Sequence, residues 1–190
     1  MPILGTVASQ ISGRLTPPDT GAMFPLGMVQ VGSGGASTVT FSSIPSTYKH
    51  LQIRSLARGT TSAADVETRI TFNSDTGSNY SYHQVYGQGV NVPADGSANT
   101  SFIYYIYSPA ANATASVFGG GVIDILDYAN TNKYKTTRTL SGYDANGSGY
   151  ILFRSGNWRN TNAITSINIV CASGNFAQYS SFALYGIKGA

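Results

Sequence analysis

The sequence predicts an all-β fold, an antiparallel β-sandwich of jelly-roll type carrying an extended N-terminal arm, and three observations support that prediction. First, two segments alternate strictly. Residues 50–58 place Leu51, Ile53 and Ala57 on one face and Gln52, Arg54 and Arg58 on the other, while residues 65–73 send Val66, Thr68, Ile70 and Phe72 inward and Glu67, Arg69 and Thr71 outward. A period of two marks antiparallel strands with one wet face. Second, about ten candidate strands follow one another at short spacing between Gly- and Asn-rich turns, the rhythm of a sandwich. Third, no segment sustains a helical period.

Residues 1–25 hold Ile3, Leu4, Val7, Ile11 and Leu15 among Gly and Ser, and Pro17-Pro18 stiffens the segment toward an extended form. A tail meant for solvent carries more charge. Against the plainer reading of a disordered tail, these five apolar residues are therefore read as a partner-binding arm that lies on a neighbouring subunit. Residues 26–190 form the sandwich domain. Within it, residues 28–31 and 37–41 flank Gly32-Ser33-Gly34-Gly35, a hairpin-like break, and residues 42–48 with Pro45 make a corner.

After the turn Asn73-Ser74-Asp75-Thr76-Gly77, Tyr80, Tyr82 and Tyr86 share one parity with Gln84, a stripe whose rings pack and whose hydroxyls reach the margin. Residues 87–100 read as a loose loop and 101–107 as the next strand. Residues 117–143 are the central hairpin: a β-branched apolar run, the turn-forming Asp127-Tyr128-Ala129-Asn130-Thr131-Asn132-Lys133, and an alternating return. Strands at 150–154, 164–171 and 181–187 complete the series. Gly119-Gly120-Gly121 precedes neither a Lys-Ser/Thr pair nor a helix, so it is not a phosphate loop; it reads as a bend or bulge at a sheet corner.

Composition narrows the function. A chain of 190 residues with 42% hydrophobic content can bury one sizeable core. Charged residues make up only 10%, far below the roughly 25% of ordinary soluble domains, so the surface must be built from Ser, Thr, Asn, Gly and Tyr. That mixture suits a β-rich protein whose neighbours hide much of it. The net charge of +3 is too scattered for a nucleic-acid groove. Cys171, the single cysteine, excludes a disulfide framework and a multi-Cys zinc site, and its apolar strand makes it a buried, inert thiol. The first residues lack the early positive charge and sustained apolar core of a signal peptide or membrane anchor, so folding in a cytoplasm is expected.

Candidates for chemistry are few. His50 and His83 sit on different strands and read as structural histidines. Glu67, the only glutamate among eight acids, lies beside Arg69 on a wet face, whereas a glycosidase needs two opposed carboxylates in a cleft. Asp124 and Asp127, three apart in a strand, point to opposite faces. Asp124 interrupts the run Val122-Ile123-Asp124-Ile125-Leu126 and should meet an Arg or a backbone donor or sit at a subunit interface, with structural pairing read ahead of metal ligation. Asp75-Thr76-Gly77-Ser78-Asn79 lacks the ligand spacing and bidentate glutamate of a calcium loop. No catalytic residue, metal ligand or cofactor is expected. Trp158, the only tryptophan, falls in a polar stretch, 155–160, where it either stacks on a pyranose ring as a glycan contact or seals the sandwich edge. Tyr104, Tyr105 and Tyr107 read as packing residues.

Several stretches resemble structural proteins of tailed bacteriophages: residues 44–54 (IPSTYKHLQIR), 72–83 (FNSDTGSNYSYH), 122–133 (VIDILDYANTNK), Leu140-Ser141-Gly142-Tyr143, and 182–189 (FALYGIKG). The opening Met1-Pro2-Ile3-Leu4-Gly5 is similar to starts seen in the same group. The resemblance covers most of the chain and implies a virion protein without catalytic residues. Its first implication is a capsid decoration, or cement, protein of trimeric jelly-roll form that bridges major capsid subunits, with the arm pinning it down. Its second is a tail-fibre or receptor-binding module for a host glycan. Partners are then the major capsid protein or another virion protein, with neither nucleic acid nor membrane.

Overall fold

The computed structural model describes residues 22–189, and every regular element among them is a strand. In chain order these are β1 Met23–Gln30, β2 Thr38–Phe41, β3 His50–Ala57, β4 Asp65–Phe72, β5 Tyr80–Gly87, β6 Ala94–Thr100, β7 Ile103–Pro109, β8 Gly119–Leu126, β9 Lys135–Asp144, β10 Gly149–Trp158, β11 Ile167–Cys171 and β12 Ser181–Ile187. They form an eight-stranded sheet in the order β1-β12-β3-β8-β9-β10-β5-β6 and a four-stranded sheet in the order β2-β11-β4-β7. Every pairing is antiparallel.

The quartet β1-β12-β3-β8 facing β2-β11-β4-β7 is the double Greek key of a jelly roll, as expected. Strands β5, β6, β9 and β10 are additions that carry the large sheet beyond β8 as a flange. Side chains alternate as period-two patterning dictates, so Leu51, Ile53, Ile123, Ile125 and Phe182 of the large sheet meet Val66, Ile70, Phe72, Ile167 and Ile169 of the small one in a single buried core. The predicted central hairpin is β8 and β9, the two middle strands of the large sheet.

The structure departs from expectation in several places. The Gly32–Gly35 break is not a hairpin, because β1 pairs with β12 in one sheet and β2 with β11 in the other. The loose loop contains β6, an edge strand exposed along nearly its whole length, which has no buried face to impose alternation. Gly119–Gly121 is a regular ladder rather than a bulge. Glycine is required there for packing: a Cβ on Gly121 would lie 2.4 Å from Cγ2 of Ile106, so its absence lets β7 close onto the large sheet. Strand β10 continues through 155–158 rather than ending at Arg154. Strand β1 takes up residues 23–25, while the arm residues Ile3, Leu4, Val7, Ile11 and Leu15 lie outside the described residues.

Candidate functional site

Trp158 closes β10 and points into the sandwich, 1% exposed. Its ring packs on Phe72 at 5.6 Å and stacks on Tyr80 at 6.3 Å, and its Nε1 donates to Asp75 Oδ2 at 2.8 Å. Burial pushes the Asp75 carboxyl up, but hydrogen bonds from Trp158, Asn79 and the Gly77 amide outweigh it and leave the carboxyl below its ordinary value. The glycan-contact reading of Trp158 is therefore corrected: no face of the indole is open to a sugar. Of the two roles weighed for it, it fills the one that seals the sandwich.

The other singled-out residues are structural. Asp124 accepts from Arg138 Nη2 at 2.9 Å and Gln52 Nε2 at 2.8 Å, the pairing its apolar strand demanded. Asp127 sits at φ 47°, just past β8, paired with Lys49 at 2.9 Å and with Lys133. Hydrogen bonds from Lys133 and Lys49 hold its carboxyl down to about 2. His50 Nδ1 accepts from the Asp127 amide at 2.9 Å, whereas His83 stands exposed on β5, so the two histidines serve different places. Glu67 accepts from the Tyr107 hydroxyl at 2.9 Å and lies 3.6 Å from Arg69. Cys171 is buried, and burial pushes its thiol up. Among the described residues no three His, Cys, Asp or Glu converge as metal ligands.

Two surfaces of the flange remain. On the inner side, β10, β5 and β6 run past β7, the edge of the small sheet, and tyrosines close the overhang. Tyr104 meets Tyr82 edge-on at 5.1 Å, and Tyr107 stacks on Tyr150 at 5.0 Å. Beneath them lies Arg154, 1% exposed, whose guanidinium binds Gln84 Oε1 through Nε at 2.8 Å and through Nη2. Among the described residues no carboxylate pairs with Arg154; burial pulls its guanidinium down to about 10. Sequence parity found Tyr80, Tyr82, Tyr86 and Gln84, but nothing in the sequence signalled the buried arginine.

On the outer side, strand register aligns a stripe across the whole sheet. Met28 stands opposite Ala183, then come Arg54 and Val122, then Leu140, Phe153, Val85 and Ala94. Arg54 alone interrupts its apolar character. Leu140 is 58% exposed and Phe153 50%. Beside the stripe runs a valley, with Leu56 opposite Gly120, Gly120 opposite Gly142 and Gly142 opposite Ile151. The glycines supply its floor, and the resulting groove measures about 930 Å³. Exposed apolar surface on both sides of Arg54 is a candidate contact surface.

No family model and no curated protein matches the sequence. Among solved structures, the galectin LEC-6 of Caenorhabditis elegans is 9% identical over 82% of this chain and 94% of its own, with a TM-score of 0.35. An engineered GH43 glycoside hydrolase is 14% identical at a TM-score of 0.41; the match takes in 91% of this chain but only 37% of the hydrolase. The tripod from the baseplate of bacteriophage Tuc2009 is 11% identical over 92% of this chain and 69% of its own, at a TM-score of 0.30. Superpositions this loose carry no argument about activity. The chain is an all-β protein, two antiparallel sheets packed as a sandwich.

Proposed function

We propose that this chain is a non-enzymatic structural subunit of a tailed-bacteriophage particle, and specifically a capsid decoration protein that bridges major capsid subunits. The observation that carries the reading is the apolar stripe on the outer face of the large sheet. A free subunit gains nothing by displaying Leu140, Phe153 and Ile151 at half exposure or more, whereas a subunit of an assembly buries them against neighbours. The sequence resemblance supplies the kind of assembly, and the 10% charge content fits a surface that neighbours cover. In this reading the jelly-roll body sits across joints of the shell as a homotrimer, the segment before β1 fastens it, and many weak copies share the load.

Immunogold labelling of intact phage particles with an antibody raised against residues 26–190 tests the proposal. Gold over the head is the expected result. Gold at the tail tip would replace decoration with receptor binding, and unlabelled, well-preserved particles would overturn both.

A second reading, a receptor-binding module for a host glycan, is favoured by the overhang, where half-buried Tyr82 and Tyr86 flank Gln84 along β5 and Tyr86 meets the Tyr150 ring at 6.1 Å. Aromatic faces beside an amide suit a sugar ring. Glycan-array binding that disappears in Tyr86→Ala, with the fold intact, would support it; binding that persists would not.

A further inference from the structure

The stripe needs a particular occupant, and the chain upstream of β1 has the length and chemistry to supply one. Eight strands at about 4.8 Å spacing make the stripe roughly 34 Å long. From Ile3 to Leu15 are twelve residue steps, a chain length that can reach up to about 40 Å. That segment contains all five apolar residues Ile3, Leu4, Val7, Ile11 and Leu15, and Arg14 is its only charge. The valley of Gly120 and Gly142 gives its side chains depth that a fully side-chained sheet would deny. Seven steps separate Leu15 from Ala22, the first described residue, a reach of up to about 24 Å.

We propose that residues 3–15 of one copy lie along the outer stripe and glycine-floored valley of a second copy, joining subunits by an exchanged arm. This rests on the assembly reading above, which requires that copies be joined, and it names one partner that covers the stripe. Arm exchange is a low-cost route to oligomers because each contact made to a neighbour is repeated around the assembly.

The test uses the full-length chain with Leu140 replaced by the photo-crosslinker p-benzoylphenylalanine. Light and heavy isotope-labelled preparations are unfolded in denaturant, refolded together, irradiated, digested with trypsin and read by mass spectrometry. Conjugates of the peptide 1–14 that join light to heavy chains are expected. In Gly120→Glu, whose added Cβ meets nothing within 4 Å, the yield of those conjugates should fall about tenfold while Tm stays unchanged. Should that variant unfold, Leu4→Asp makes the same test from the arm side. Conjugates within one isotope class only would overturn the exchange, because the segment would then cover its own sheet. Absence of conjugates to residues 1–14 would overturn it as well. Neither result touches the gold-labelling outcome, so failure here and failure of the decoration reading are distinguishable.

Discussion

Strands β3 and β9 belong to one sheet, separated only by β8, yet their two faces have opposite chemistry. β3 turns Leu51, Ile53 and Ala57 inward with no exposed surface and presents Gln52 and Arg54 outward. β9 buries Lys135, Thr137, Thr139 and Ser141 and exposes Leu140. Its neighbour β10 repeats the inversion in part, with Arg154 inside and Ile151 and Phe153 outside, although Leu152 and Trp158 also face inward. The inner face of the large sheet is therefore mainly apolar at β3 but polar along β9 and at Arg154 of β10, while the outer face carries exposed apolar residues in both halves, Met28 and Leu56 as well as Leu140, Ile151 and Phe153. A sheet of this kind stands only if its inner polar groups are bonded and its outer apolar ones are covered. The first condition is met in part within the chain: Lys135 Nζ donates to the carbonyls of Asn130, Lys133 and Thr161 at 2.6, 3.0 and 3.0 Å, and Arg154 holds Gln84. The second points to a neighbour.

Substitutions in the two halves should separate these roles. The largest loss is expected at the seam where flange and core meet: Trp158→Ala should cost about 3–5 kcal/mol in chemical denaturation. Trp158→Phe, which forfeits mainly the Asp75 hydrogen bond, should cost only about 1 kcal/mol. A small loss in the alanine variant would contradict the packing described for the indole. Next comes Lys135→Met, which removes the ammonium that three part-buried carbonyls share and should cost about 1–2 kcal/mol; a neutral result would mean that water satisfies those carbonyls instead. On the outer face, Phe153→Asp should change stability by no more than about 0.5 kcal/mol while abolishing incorporation into particles. Equal incorporation would remove the stripe from the interface.

The pH dependence is smaller and has two ends. Asp127 is held at about 2 in the folded chain against an unfolded carboxylate near 4. Its contribution is thus complete above about pH 4 and is lost as pH falls toward 2. Because Lys49 and Lys133 are both 53% exposed, solvent screening keeps that contribution below about 1 kcal/mol. At the alkaline end, burial holds Tyr143 up to about 12 and raises Tyr80, Tyr105 and Tyr107 as well. The folded chain keeps protons that the unfolded chain releases near pH 10, so stability is full below that point and falls above it. Ultraviolet titration should show these phenols ionising only with unfolding. Early, reversible ionisation of all tyrosines would contradict their burial.

Much of the jelly-roll half was legible in the sequence because one covered face imposes alternation, as in residues 50–58 and 65–72. The flange was less so. β6 is wet on nearly all sides and carries no pattern, and β9 alternates without declaring which parity is inside, since Thr and Ser tolerate burial that Leu140 here does not receive. Trp158 looked like a loop residue because Gly156 and Asn157 precede it. Yet Gly156 is a strand residue whose missing Cβ admits Ile103, since an added one would lie 2.9 Å from Cγ2 of that side chain. The pairing order β1-β12-β3-β8 depends on contacts far apart in the chain, which spacing alone does not encode. Asp124 was the clearest success at single-residue level, because a carboxylate in an apolar strand required the partner that Arg138 supplies.

The most direct test of the outer stripe as an interface is the rate of thiol labelling in Phe153→Cys, compared between dilute subunit and intact particle. Cys171 is 5% exposed and its thiol is raised by burial, so the native background is silent. Labelling slowed about tenfold or more in the particle is the predicted result, since a covered face excludes the reagent. Equal rates in the two states would show the stripe open in the particle and contradict the interface proposed for it.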